Sequence, residues 1–498
     1  MFEGLRRLWR DRRGNVALIF ALAAPAVVLT IGFGIDLSRY QTARIASQDS
    51  ADAAVLAGGS SGLRNLTEIE AFVTRYLQPN LAQGGQRMNT GYTVEVTQPT
   101  SRQLKIVVRG EVDSMFGSLF GMNRMPMKIT SIAERGAADG VELVMVLDNT
   151  WSMSAQAGAA TRINALKSSA RILTNALMTP DVQNVKFGLV PYAEYVNVGT
   201  GNRSAPWLSV PADYSTTSTP APRVCTQVPV WTTTCTGGVR GTCTRFVDGL
   251  AENYACWVVP QTCVSAPAVP ARTTESCTGG GSPVTTNYRW YGCVYSRNTG
   301  TLRLNDTQPA TVYKGFLGTS QTCLNPILTL TDQKSTVLTA INNLVVNVGS
   351  YKPETHIPSG LIWGVNVLSP TQPFSEGRPY SAGNRTPRKI LVLMTDGENT
   401  LRYNAADGRH LTLSSNSATA ATQKAATNQD VSDICSYAKG NGIEVFTVGL
   451  AVDTPSAQTM LRNCATDSAH YFDASDANSL VTAFTAIAAS INAVRLVE

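Results

Sequence analysis

The chain is poor in charge, in histidine and in the short ligand spacings that much metal and nucleotide chemistry uses, and each scarcity removes a class of function. Only 15% of its 498 residues are Asp, Glu, Lys or Arg. Residues 1 to 13 hold Arg6, Arg7, Arg10, Arg12 and Arg13 against Glu3 and Asp11, so this short tail supplies +3 of the net +6 and the other 485 residues only +3. With no further Lys/Arg run and no basic stripe interleaved with aromatics, no nucleic-acid partner is expected. The three histidines, His356, His410 and His470, form no H-E-x-x-H pair, and no G-x-x-x-x-G-K-[ST] loop occurs, which argues against zinc hydrolysis and nucleotide hydrolysis. Gly58-Gly59-Ser60-Ser61-Gly62 has the letters of a nucleophile elbow, but it follows an Ala-rich helical stretch where that motif needs a strand.

No C-x-x-C pair is present either, although there are ten cysteines. Eight of them, Cys225, Cys235, Cys243, Cys256, Cys263, Cys277, Cys293 and Cys323, crowd into 99 residues at irregular gaps. Zinc ribbons and thioredoxin-like sites use short regular spacing, so the pattern points to disulfides formed in an oxidising compartment, with connectivity open. Cys435 and Cys464 make a candidate fifth bridge, or two buried thiols.

What the chain does have is one long apolar run. Val16 to Ile35 contains no charge over twenty residues, which as a helix spans roughly 30 Å, the thickness of a bilayer core. The five arginines before it place the N-terminus in the cytoplasm and everything after Asp36 outside. The run exceeds a signal-peptide core and is followed by no clear small-residue cleavage site, so an uncleaved anchor is expected. Three regions follow: a basic tail over 1–15, a transmembrane helix over 16–35, and a small α+β unit over 36–136. In the last, Ser38 to Gly58 continues the helix, residues 66–78 form a second, and three alternating segments near 92–97, 103–112 and 127–134 form strands.

From 140 to 498 short apolar runs (VELVMVL, KFGLVPYA, KILVLMT, IEVFTVGL) alternate with amphipathic helices. That is the pattern of an α/β fold: a doubly wound, mostly parallel sheet with helices on both faces. Ile163, Leu166, Ala170, Leu173 and Leu177 on one helix, and Leu480, Phe484, Ile487, Ile491 and Val494 on the last, form core stripes. About 200–330 interrupts this order with a Thr-, Pro-, Gly- and Cys-rich insertion lacking helical periodicity, a segment that relies on disulfides for order.

The first core strand runs into Asp148-Asn149-Thr150-Trp151-Ser152, where alternation aims one carboxylate and two hydroxyls the same way. A later strand, Lys389 to Thr395, ends at Asp396, and parallel strands gather such ends at one sheet edge, where open α/β sheets bind ligands. Two acids there repel unless a cation lies between them, and hydroxyl and carboxylate oxygens suit Mg²⁺ or Mn²⁺. Thr355, five residues before Gly360, stands on a further loop. Helix capping accounts for either acid singly but not for their convergence.

These residues resemble the metal-ion-dependent adhesion site of von Willebrand factor A domains. The resemblance implies Asp148, Thr150, Ser152, Thr355 and Asp396 as ligands of Mg²⁺, with the insertion accounting for the long gap between Ser152 and Thr355. Trp151, His356 and Glu398 are candidate residues of a partner-binding rim, with core packing or solvation as the plainer roles of the first two. The N-terminal stretch from RRGNVALIF to AVLAGG, with Asp36 and Asp52-Ala53-Ala54, is similar to TadE/TadG-type segments, and LDNTWSM, GLVPYAEYVNVGT, LMTDGEN and HYFDASDANSL also look like the TadG-like family of tight-adherence (Flp) pilus assembly. Trp151 stands where glycine is more usual. The resemblance implies a membrane-anchored envelope component, not an enzyme, whose metal site takes an acidic side chain from a protein partner. A metal-dependent hydrolase with His356 or Glu398 as base, and a purely structural tether, are the alternatives.

Overall fold

The computed structural model describes residues 15–61, 63, 65–82, 91–99, 103–134, 140–179, 184–307, 312–384, 387–492 and 495–496. The five N-terminal arginines and Val494 lie outside them. The chain folds as two units, Met1–Ala138 with Ile491–Glu498, and Asp139–Ser490.

In the first unit a single helix, α1 (Asn15–Ser60), runs from the apolar stretch through the Ala-rich one. Its two halves differ in surroundings. Ile19, Phe20 and Leu22 are more than 60% exposed, whereas Ala43, Ala51, Ala54 and Val55 are fully buried. The first half is long and apolar enough to cross a membrane. The second half packs with α2 (Leu66–Ala82) on a sheet of β1 (Thr93–Thr97), β2 (Gln103–Asp113) and β3 (Arg124–Glu134), burying Ile69, Val73, Leu104, Ile106 and Ile129. Where the apolar run ends, the Asp36 carboxylate, 4% exposed, accepts hydrogen bonds from the Ser114 hydroxyl (2.6 Å) and from the backbone N–H groups of Met115, Phe116 and Gly117 (2.8, 2.8 and 2.9 Å). Four donors on one carboxylate fix the loop after β2 to the helix. Residues 495–496 add a short antiparallel strand beside β3, so these two residues belong to this sheet, whereas the sequence reading carries the domain before it through to 498.

The second unit is built on a six-stranded sheet. Its strands are β4 (Val141–Asp148), β5 (Val185–Tyr192), β6 (Leu328–Thr331), β7 (Arg388–Thr395), β8 (Glu444–Leu450) and β9 (Tyr471–Ala474), in spatial order β6-β5-β4-β7-β8-β9. All pairings are parallel except that of β6 with β5. Every residue of β4 is buried, which is why these strands read as continuous apolar runs. The helices between them are α3 (Arg162–Leu177), α4 (Lys334–Asn342), α5 (Ile357–Leu368), α6 (Ser417–Gly440), α7 (Pro455–Cys464) and α8 (Ala477–Asn492). Two glycines one turn apart let α5 lie close on the sheet: a Cβ on Gly360 would meet the Tyr192 ring at 2.5 Å, and one on Gly364 would meet Val146 Cγ2 at 2.5 Å.

All ten cysteines are paired: Cys225–Cys277, Cys235–Cys263, Cys243–Cys256, Cys293–Cys323 and Cys435–Cys464. Three of these bridges are rungs of one long antiparallel arm within the insertion, formed by Val224–Pro229 on Thr273–Thr278, Trp231–Thr236 on Thr262–Pro267, and Val239–Val247 on Leu250–Val259. The arm is largely exposed along its length, so cross-links and backbone ladders order it instead of a core. The root of the insertion differs from the sequence expectation. Trp207, Trp290 and Tyr313 are buried and pack with Trp363 of α5 and Phe374, sharing the core of the main sheet.

A candidate metal centre at the sheet edge

Strand order in the second unit's main sheet reverses between β4 and β7, the first and fourth strands of that sheet in chain order. Neighbouring parallel strands there end side by side, Leu147 of β4 opposite Met394 of β7. Asp148 ends the first strand, and Asp396 follows the second by one residue. Such a switch point leaves a crevice outside the carboxyl ends of the strands.

The oxygens converge there. Thr150 Oγ1 donates to Asp148 Oδ1 at 2.6 Å and lies 2.8 Å from Ser152 Oγ, which in turn donates to Asp396 Oδ1 at 2.8 Å. Asp148 is held further by the Thr150 backbone N–H (2.9 Å), by the Thr395 hydroxyl (2.7 Å) and by the Tyr192 hydroxyl (3.1 Å), the last two on Oδ2. These partners come from β7 and β5, so the flanking strands orient the carboxylate. The second oxygen of Asp396 accepts from Arg162 Nη1 at 2.9 Å, at the start of α3.

Thr355 joins through a residue that sequence reasoning missed. Its hydroxyl donates to Asp248 Oδ1 at 2.8 Å, and the Ser152 backbone N–H donates to Asp248 Oδ2 at 2.8 Å. The Thr400 hydroxyl approaches the same Oδ1 at 3.3 Å while accepting the Thr355 N–H at 2.8 Å. Asp248 and Gly249 are the two turn residues at the tip of the disulfide-laddered arm, with φ of 48° and 75°. Positive φ at both positions is the two-residue hairpin geometry that Asp-Gly favours. That signal was legible in the sequence; the destination of the tip was not.

Asp148, Thr150, Ser152, Asp248, Thr355 and Asp396 are all at most 8% exposed. Burial, and then the negative charge of Asp396, pushes the Asp148 carboxyl well above the usual carboxylate range; burial raises Asp396 too, against the opposing pull of Arg162 and Ser152. Nearby Glu354 is raised to about 7 by burial and by the charges of Asp248 and Glu194. Three buried carboxylates and three hydroxyls, against which Arg162 sets one positive charge, form an all-oxygen donor set with excess negative charge. Its chemistry fits a hard divalent cation such as Mg²⁺ or Mn²⁺, which would reverse the sign of these shifts.

Of the expected rim residues, His356 is placed otherwise. His356 is 1% exposed and stacks on His410 with ring centroids 3.6 Å apart; burial holds it neutral, far below its ordinary range. It stands immediately before α5 and is packed in the interior rather than exposed on a rim. Trp151 faces the chain's own Lys352, whose Nζ lies 4.2 Å from the ring centroid. Glu398 pairs with Lys424 at 2.8 Å.

Fold and geometry together describe a disulfide-bonded α/β domain with a buried, acid- and hydroxyl-rich cluster at its strand ends, in a chain that carries near its N-terminus an apolar helix long enough to anchor it in a membrane. Residues 14–61 match the family model described as Flp pilus-assembly TadE/G-like. Among curated proteins no relative is found by sequence. Solved structures similar to the chain include the pilus adhesin SpaC from Lactobacillus rhamnosus GG (10% identity, TM-score 0.34, covering 81% of this chain and 35% of that one). The pilus adhesin RrgA from Streptococcus pneumoniae (11%, 0.35, 81% and 49%) and the vWF domain of the type V pili tip protein Mfa5 from Porphyromonas gingivalis (13%, 0.33, 71% and 95%) are others. The chain thus spans a third to a half of the length of the first two adhesins. At these TM-scores the likeness assigns no role to any residue.

Proposed function

We propose that the protein is a membrane-anchored, extracytoplasmic component of Flp/Tad-type pilus assembly or adhesion, and that its second unit is a TadG-like von Willebrand factor A domain binding an acidic side chain of a protein partner through Mg²⁺ or Mn²⁺. The observation that carries this reading is the meeting of Asp148, Thr150, Ser152 and Asp396 in one chain of contacts of 2.6 to 2.8 Å at the strand ends, with Thr355 joined to the same cluster through Asp248. The strand order β6-β5-β4-β7-β8-β9, with only the β6 edge antiparallel, supports a doubly wound sheet of that type. The five arginines before α1 support an inner-membrane anchor with its N-terminus in the cytoplasm, and five disulfides support an oxidising space for the rest. When bound, the ion would supply a Lewis-acidic bridge between proteins. Asp148, Thr150, Ser152, Thr355 and Asp396 would hold it, Thr395 and Tyr192 would orient Asp148, and Arg162 would balance Asp396.

Binding without catalysis is the better reading because the candidate bases are engaged elsewhere: His356 is buried against His410 and Glu398 is paired with Lys424. Calorimetric titration of the full chain in detergent with MnCl₂ tests the proposal. Uptake is expected in the wild type and lost in Asp148→Ala and Asp396→Ala at unchanged circular dichroism; a wild type that takes up no Mn²⁺ or Mg²⁺ refutes it.

A further inference from the structure

The proposed metal site expects a carboxylate from outside, yet the chain already delivers one. Asp248 stands 96 residues from Ser152 and 107 from Thr355, and both of its carboxylate oxygens are taken by groups that would otherwise face an incoming acid: the Ser152 N–H and the Thr355 hydroxyl. At 6% exposed it fills that place.

The arm that carries it is suited to holding or withdrawing the tip as a unit. Cys243–Cys256 lies nearest the turn, with Cys235–Cys263 and Cys225–Cys277 behind it. The strands between the bridges are exposed on nearly every residue, so lifting the arm uncovers little apolar core. Its tip is fastened by a clasp next to the site. Glu252, four residues beyond Asp248, is ion-paired with Lys352, and Lys352 lies over the Trp151 ring. Trp151 of the Asp148 loop thus grips a cation of its own chain.

We propose that this arm is a built-in competitor: Asp248 supplies in cis the acidic group that a partner would supply in trans, so the site is self-capped until the tip is displaced. The inference rests on the metal-site reading above and adds to it a regulated, initially closed state. An arm seated about nine-tenths of the time weakens the apparent affinity for an acidic partner about tenfold.

The test uses full-length chain in detergent, calorimetry with MnCl₂, and capture of biotinylated poly-L-glutamate with and without EDTA. Asp248→Gly keeps the turn, since glycine accepts positive φ without strain, and removes the carboxylate. Lys352→Ala opens the clasp and leaves Asp248 in place, which guards against a folding defect peculiar to the tip. Mn²⁺-dependent capture should be about tenfold tighter in Asp248→Gly than in the wild type, with Lys352→Ala between them. Equal capture by all three proteins, with Mn²⁺ uptake intact, overturns the competitor and leaves the metal site standing. Loss of Mn²⁺ uptake in Asp248→Gly overturns it as well, because Asp248 is then a permanent ligand. No Mn²⁺ uptake by the wild type removes the metal reading and this inference together.

Discussion

Ser152 Oγ donates a 2.8 Å hydrogen bond to Asp396 Oδ1, joining residues 244 positions apart in the chain. The contact exists because β4 and β7 are parallel neighbours in register, Val146 opposite Leu393, so both loops leave the same edge. The candidate site therefore depends on the sheet beneath it.

Thr395 is not itself a proposed ligand; its hydroxyl reaches Asp148 Oδ2 at 2.7 Å. Thr395→Val keeps the shape and removes the bond. A group that orients a ligand typically contributes about ten- to a hundredfold in metal affinity, and that loss is expected in Mn²⁺ titration, with the melting temperature little changed.

Gly364 sits where α5 crosses β4, and a methyl group there would lie 2.5 Å from Val146 Cγ2 and 3.0 Å from Leu391 Cδ1. Alanine gains helix propensity of up to about 1 kcal/mol, but overpacking costs about 1 to 3 kcal/mol. Gly364→Ala is therefore expected to lower the denaturation midpoint. An unchanged or higher midpoint would mean that the helix can lift off without cost.

Lys389 and Glu142 form an ion pair of 2.6 Å with both side chains only 2% exposed, and Lys389 Nζ also donates to the Leu368 carbonyl at 2.6 Å. Removing one partner of such a pair leaves a buried charge and costs about 3 to 5 kcal/mol. Lys389→Met should show that loss in chemical denaturation, and Lys389→Met with Glu142→Gln should recover part of it.

Glu444 accepts from Arg388 at 2.7 Å and from His470 at 2.8 Å. Burial alone would raise its carboxyl, but the bonds from His470 and Arg388 outweigh burial and hold it at about 2. A depressed carboxylate stabilises the fold above its unfolded value near 4.5 and loses that contribution as pH falls toward 2, a change of about 3 kcal/mol. His470 shifts the other way, raised chiefly by its bond to Glu444, so its contribution is complete below about 6.5 and lost as pH rises through the folded value. Stability from this cluster should peak between about pH 4.5 and 6.5, and His470→Gln should flatten the alkaline side of the denaturation profile.

Much of this protein could be read locally. Twenty uncharged residues suffice to define a membrane-crossing helix, because hydrophobicity and length are properties of a segment. The buried strands, the stripe of α3 and the oxygens of Asp148, Thr150 and Ser152 follow from periodicity within a few residues, and crowded cysteines without C-x-x-C spacing foretold bridges. Which cysteine meets which was decided by strand register in the arm. That Asp248 lands on Ser152 and Thr355, that Tyr192 and Thr395 hold Asp148, and that His356 turns into the core were likewise settled only by packing. These contacts join residues from 44 to 247 positions apart, and chain-local patterns carry no record of a neighbour that only the completed sheet brings within hydrogen-bonding distance.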